Sequence, residues 1–471
     1  MDDELWKLSA IDTAAGINKK EFSPSEVMAS VVVRIEATNS ELNAITLDLT
    51  EQAIEAAAVA DAAAAGSGPL GPLHGVPLTI KENIDQAGLP NTNGVPAFEG
   101  NIAPEDHPLV RNLCGAGAIV VGRTNTPEFS MRATTDNPLR GRTRNMWDRD
   151  ASAGGSSGGA GSACAAGMGP LHHGNDIGGS LRFPSFANGV TTVKPSSFRV
   201  PTFNSSAPAE RGPLSQIMSV QGVIARHAAD VRLATKLAIR HDPRDPNSPP
   251  VPWDGPEFVD KPRVAVTRET GGYDIHPGIL ELVDRAVEQL RDAGYEVVEV
   301  DPPPVTECAR EWFRAGTTEM QVTLDPVLRE HGSETIQQIF DWYYELSELL
   351  DRDDYVTAFG DRTRLMRNWS VFLDEYPLLV TPFLMRPTYD WDYDSRGLDE
   401  VRDMFASAIY STGINYLGLP AGVIGMDLVE GRPAAIQIVG QRWREDIICD
   451  ALEAIEERNG VLAHRLWERE A

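Results

Sequence analysis

Residues 153–167 read AGGSSGGAGSACAAG, and the architecture turns on what this run is. Positions 153–162 hold five glycines and three serines, the composition of a flexible tether between modules. A tether has polar flanks. This run instead passes into GSACAAGMG and then GPLHHGNDIGGSLRFPS, where small and apolar residues dominate. Alanine, cysteine and glycine at that density predict a tightly packed helix with close backbone contacts. The run therefore reads as a packed helix rather than a tether.

Two matches to G-x-S-x-G, Gly154–Gly158 and Gly155–Gly159, raise a second reading, a serine nucleophile on a sharp strand-to-helix turn. That motif needs an apolar strand directly before the serine, and WDRDASAG is charged and small. No histidine sits in a setting that would complete a triad. His172 and His173, beside the loop, read as a structural or exposed pair.

The rest of the chain bounds the answer. Its 471 residues, 42% hydrophobic and 24% charged, suit a globular protein of one to three domains. A net charge of −27 argues against nucleic acid as a ligand, because phosphate binding relies on clustered Lys and Arg. The N-terminus MDDELWKLSAID carries no basic-then-apolar leader, and no run of 18 apolar residues marks a membrane span. Cys114, Cys164, Cys308 and Cys449 are scattered and read as reduced thiols, so the cytoplasm is the expected compartment. GSGPLGPLHG (66–75) contains G-x-G-x-x-G, but no strand precedes it, which argues against a dinucleotide site.

Apolar periodicity alternates along the sequence. Residues 25–64 read as helical. VPLTI (76–80), ending at Lys81, and AIVVG (118–122) read as buried strands. From 262, PRVAVT, GILELVDRAVEQLRDAG and YEVVEV (295–300) form a strand, helix and strand, the helix presenting Ile279, Leu282, Val283, Ala286, Val287 and Leu290 on one face. Residues 305–372 are helical and aromatic (Trp312, Phe313, Phe340, Trp342, Tyr343, Tyr344). Those rings line a pocket or fill the core. PLLVTP (377–382) and AAIQIVG (434–440) are further strands, and a helix closes the chain. This is an α/β layered pattern. The proline-rich stretch 243–256 is a linker or a surface loop.

Three features bear on chemistry: Lys81 at a strand end, Ser156 in GGSSGG and Ser180 in NDIGGS. Amide hydrolysis needs a nucleophile, a base near neutral pH and donors for the developing oxyanion. Burial can make a lysine that base by disfavouring its charged form, and successive glycines free backbone N–H groups to converge. GVPLTIKENID, AGGSSGGAGSA and GNDIGGSLRFPS, in this order and spacing, closely resemble the three-block signature of the amidase signature family of serine hydrolases. GRTNTPEF (122–129), PLLVTP, NYLGLPA (415–421) and AAIQIVG resemble its flanking elements, so the likeness covers nearly the whole chain.

The resemblance implies an α/β fold in one large domain over residues 1–471, with a mixed twisted central sheet flanked by helices. It implies a Ser–cisSer–Lys triad: Ser180 as acylated nucleophile, Ser156 as the bridging serine after a cis peptide bond, and Lys81 as base. The oxyanion would be held by N–H groups of Ile177, Gly178, Gly179 and Ser180, with Ser130 among the substrate-binding positions. Ser157 would support the relay, and Asp176 and Arg182 would act structurally. The family usually has Ser or Thr where Asn175 stands, so local contacts there would differ. No cofactor and no metal are implied, since no H-E-x-x-H and no Cys/His cluster occurs. The expected partner is a small amide substrate, with no nucleic acid, no membrane and a possible homodimer. The transamidating protein that works on misacylated tRNA with partner chains shares this signature and is the rival reading, though its block usually has Ser-Asp-Thr-Gly-Gly-Ser. A catalytically silent scaffold is opposed by the complete triad. Aryl amides, aliphatic amides, carbamates and polymer-derived amides all stay open.

Overall fold

Short apolar runs punctuated by glycine and proline become eleven strands of one mixed sheet in a computed structural model, which describes residues 4–470. In chain order they are β1 (Ile45–Asp48), β2 (Pro77–Lys81), β3 (Ile119–Thr124), β4 (Leu171–Asp176), β5 (Thr191–Lys194) and β6 (Val220–Ala225). They continue as β7 (Val264–Val266), β8 (Val297–Glu299), β9 (Leu378–Pro382), β10 (Ala421–Val429) and β11 (Arg432–Gly440). The spatial order is β1-β3-β2-β4-β6-β5-β10-β11-β9-β7-β8. β2 runs parallel to both β3 and β4, and β7 parallel to β8 and β9, while the middle of the sheet is antiparallel. Helices cover both faces, and one cluster of buried side chains runs from Ala10 to Ile455, so the chain forms a single domain.

The serine–glycine run is interior. The helix Gly158–Ala166 is buried at every position. Its residues are small because backbone lies against them: a Cβ on Gly159 would sit 2.4 Å from the Asn125 nitrogen and 2.7 Å from the Ala44 oxygen. No larger side chain fits there, which is why a linker-like composition marks the middle of the molecule.

Strands expected at 76–80, 118–122, 295–300, 377–382 and 434–440 form with no edge shifted by more than two residues. The helix Pro277–Asp292 buries all six residues of its anticipated face. One expectation is corrected, and one open alternative, the histidine pair as structural or exposed, is resolved as structural. The stretch 25–64 is two helices, Pro24–Leu42 and Thr50–Ala65, separated by edge strand β1. The His172–His173 pair is not exposed; it lies in β4, a fully buried central strand. His172 Nε2 donates to the Gly169 carbonyl at 3.1 Å and its Nδ1 accepts from Thr79 Oγ1 at 2.8 Å. His173 Nδ1 accepts from the Lys81 backbone N–H at 3.3 Å and Nε2 donates to Gln221 Oε1 at 3.0 Å. Both rings are thus satisfied as neutral tautomers. The proline-rich stretch 243–256 is a surface loop. It is tied to the body by Arg199, which donates to the Val251 and Pro252 carbonyls at 2.7 Å each. No helix among the described residues is long and apolar enough to cross a membrane, and the four cysteines are unpaired thiols.

Candidate active site

β2 and β4 are parallel neighbours, so their C-terminal ends emerge on the same side of the sheet. That edge is where open α/β sheets collect ligand-binding groups. β2 ends at Lys81 and β4 at Asp176. Ser156 and Ser157 directly precede the buried helix Gly158–Ala166, and Ser180 lies in the turn before the helix Arg182–Asn188. The peptide bond Gly155–Ser156 is cis. A Cβ on Gly155 would fall 2.3 Å from the Arg132 carbonyl oxygen, so only glycine admits this approach of two backbone segments.

Lys81 is fully buried, and burial pushes its pKa well below the ordinary lysine value, opposed by the nearby Asp176 charge and reinforced by Arg211. Its Nζ has three neighbours: Ser156 Oγ at 2.7 Å, Asn175 Oδ1 at 2.7 Å and Ser157 Oγ at 3.1 Å. The Ser157 hydroxyl donates to the Asn175 carbonyl at 3.3 Å, so toward lysine its oxygen can only accept. Asn175 Oδ1 is an acceptor with no proton to give. A neutral amine has two N–H groups and one lone pair. The two N–H groups match Asn175 and Ser157, leaving the lone pair opposite Ser156, whose O–H can donate to it. The geometry accommodates an unprotonated lysine with every group satisfied.

Asn175, standing where the resembled family has Ser or Thr, is held in turn. Its Nδ2 donates to Asn83 Oδ1 at 3.0 Å, and Asn83 Nδ2 donates to Ser130 Oγ at 2.9 Å. Asn83 carries no signal in the sequence. It lies two residues past Lys81, and nothing in ENID distinguishes a ligand-facing amide from a turn residue. Ser130 has φ = 57°, and its hydroxyl also contacts Thr126 Oγ1 at 2.7 Å and donates to Asn93 Oδ1 at 2.6 Å. Its hydroxyl is therefore occupied, although the residue borders the cavity.

Asp176 and Arg182 are both fully buried and paired at 3.0 Å. Burial works against ionisation of Asp176, but the Arg182 charge and hydrogen bond hold the carboxyl below the usual range. Asp176 fastens the turn that follows it, accepting from Gly179 N–H at 2.8 Å and Leu181 N–H at 3.1 Å. The expected set of four oxyanion donors is thus altered, because the Gly179 N–H is already committed to a carboxylate. Among the described residues, the N–H groups of Ile177, Gly178 and Ser180 have no protein acceptor, and Ser180 Oγ makes no hydrogen bond.

Ser180, Ile177, Gly178 and Gly179 border a cavity of ≈ 100 Å³ walled by Phe183, Trp312, Tyr343, Phe383, Tyr389 and Phe405. Of the aromatics in 305–372, Trp312 and Tyr343 face this cavity. Phe340 is in the core, and Phe313, Trp342 and Tyr344 pack against it. The other four walls come from separate elements and share no periodicity that could have announced them.

A family model described as Amidase matches residues 26–449. The chain is 45% identical over 465 residues to an indoleacetamide hydrolase of Bradyrhizobium diazoefficiens, covering 98% of this chain and 89% of that one. It is 31% identical over 481 residues to a glutamyl-tRNA(Gln) amidotransferase subunit from Moorella thermoacetica, covering 96% and 97%. Its structure superimposes with a TM-score of 0.83 on a bacterial aryl acylamidase of the amidase signature enzymes, at 25% identity and 98% coverage of both chains.

Proposed function

The chain belongs to the amidase family and hydrolyses a carboxamide to acid and amine; from that premise we propose that its substrate is the primary amide of an arylacetic acid, and that Lys81, Ser156 and Ser180 carry the reaction. The observation that supports this most is the fully buried Lys81 with its Nζ 2.7 Å from Ser156 Oγ, beside a serine that faces a cavity walled by six aromatic residues.

Neutral Lys81 takes the Ser156 proton as Ser156 takes that of Ser180. The Ser180 oxygen bonds to the amide carbon, and the carbonyl π pair moves onto oxygen. Backbone N–H groups of Ile177, Gly178 and Ser180 stabilise that charge. The relay runs back, protonating the amide nitrogen; the C–N bond breaks and ammonia leaves an acyl-Ser180. Water, deprotonated by the same relay, releases the acid and restores the serine. All of these groups belong to one chain, so a homodimer is not needed for the step.

The aromatic walls support a planar ring on the acyl side, and the indoleacetamide hydrolase relative acts on such an amide by name. The amidotransferase relative is the more distant of the two, and a charge of −27 is unfavourable for tRNA. The test is the purified chain alone, assayed for ammonia release from indole-3-acetamide, phenylacetamide, acetamide and glutamine. Arylacetamides should be turned over best, without a partner chain. Glutamine as the sole productive substrate would overturn the proposal.

A further inference from the structure

The turn after β4 presents its carbonyls to side chains from distant helices. The Trp312 indole N–H donates to the Ile177 carbonyl at 2.8 Å, and the Ser411 hydroxyl donates to the Gly178 carbonyl at 2.8 Å. In a planar trans peptide the C=O and the following N–H point in opposite directions. The second of these peptides shows the consequence: with the Gly178 carbonyl on Ser411, the Gly179 N–H points to Asp176 Oδ1 at 2.8 Å. By the same rule the Ile177 carbonyl on Trp312 turns the Gly178 N–H away from the indole, where among the described residues it has no acceptor.

We infer that Trp312 is a positioning residue for the oxyanion donor Gly178, so that the ring walling the aromatic cavity also sets the direction of a catalytic N–H. The indole is well placed for both. It is 6% exposed, borders the cavity, and packs at 5.8 Å on Phe405 and 6.2 Å on Phe313, which fixes its plane. Contact with the turn is close: a Cβ on Gly178 would lie 2.7 Å from Trp312 Cζ2. An aryl group resting on this wall and the donor that receives the oxyanion therefore share one support. Rate and ring recognition are coupled through it.

The inference rests on the acyl-enzyme reading at Ser180, and the test separates the two. Trp312→Phe keeps an aromatic wall and deletes the donor; 3-benzothienylalanine at position 312 keeps the bicyclic shape as well, with sulfur in place of N–H. Steady-state constants are measured for both on phenylacetamide and on acetamide, alongside Ser180→Ala. Loss of an oxyanion donor lowers kcat by about a hundred- to a thousandfold, and a donor kept but turned out of line loses part of that, so a fall of roughly tenfold or more on both substrates is expected, with KM within about threefold. An unchanged kcat with a raised KM for phenylacetamide alone would make Trp312 a wall and nothing more. The benzothienyl variant decides the matter if the phenylalanine variant fails to fold. Activity surviving in Ser180→Ala would sink the acyl-enzyme reading and this inference with it. An inactive Ser180→Ala beside a fully active Trp312→Phe sinks this inference alone.

Discussion

Replacing Asn175 by aspartate puts a charge on the base's acceptor, and it also removes the Nδ2 that donates to Asn83 Oδ1, so the Asn83 amide must turn its own Nδ2 toward the new carboxylate. The oxygen that accepts from Lys81 Nζ at 2.7 Å becomes part of a carboxylate of nearly the same shape. Two unit charges about 2.7 Å apart attract by roughly 6 kcal/mol at an effective dielectric near 20. The new charge is spread over two oxygens and must itself be buried, so about half of that, ~3 kcal/mol, is a reasonable share to reach the lysine. That raises the Lys81 pKa by about two units. At any pH below the wild-type plateau the neutral fraction is then about a hundredfold lower, and kcat/KM climbs about tenfold per pH unit to a plateau about two units more alkaline than in the wild type. The assay is kcat/KM against pH on one arylacetamide for the wild type, Asn175→Asp and Asn175→Thr. The threonine variant keeps a neutral acceptor and should leave the plateau within about half a unit of its original pH. An aspartate profile superimposed on the wild type would refute the assignment of Lys81 as the titrating base.

Three more outcomes are expected. Ser180→Ala should lose both hydrolysis and labelling by a fluorophosphonate, and an adduct mapped to Ser156 in the wild type would reassign the nucleophile. Gly179 has φ = 128°, and a Cβ there would lie 2.4 Å from Ser411 Oγ, so Gly179→Ala should lower both kcat and Tm; a Tm within about a degree of the wild type would contradict the strain. Burial lowers the pKa of His107 and His172 to about 3, so the folded state resists protons that the unfolded state binds below about 6.5. Their contribution is complete above that pH and is lost as pH falls toward 3, together by roughly 3 kcal/mol per unit. Urea unfolding at a series of pH values reads the total slope, and His172→Gln should lower it by about 1.4 kcal/mol per pH unit; an unaltered slope would remove His172 from the account.

How much of this was legible in the sequence follows from what each residue type signals. Strands β2, β3, β9 and β11 are apolar and β-branched on both faces, and they announce themselves. β4, with the sequence LHHGND, does not. It is as buried as they are, but its interior is built from hydrogen bonds to Thr79 and Gln221, and such partners lie far away in the chain. β1 was hidden by helices on either side. At the site, Lys81, Ser156 and Ser180 could be singled out because lysine in an apolar strand and serines among glycines are conspicuous. The Gly179 N–H could not be subtracted from the donor set by reading DIGGS, since its loss depends on the angle at which Asp176 folds back. Nor could Asn83 or Phe405 be joined to the site, or Trp312 be told apart from its core neighbours, because only folding brings these residues together.

The helix Gly158–Ala166 carries nothing larger than a cysteine and is packed backbone to backbone. The cavity walls, in contrast, are ordinary side chains contributed by segments from Phe183 to Phe405. The two parts consequently differ in how they can diverge. The serine-bearing half admits little substitution, because a carbon added at Gly155 or Gly159 would displace main chain and one added at Gly158 or Gly161 would displace Thr135 or Asn188. The ring-bearing half can be exchanged one side chain at a time, with Trp312 as the exception that ties it to the turn. A lineage built this way keeps its reaction while its diet drifts, and directed changes of substrate in this enzyme belong at Phe183, Phe383, Tyr389 and Phe405 rather than nearer the serines.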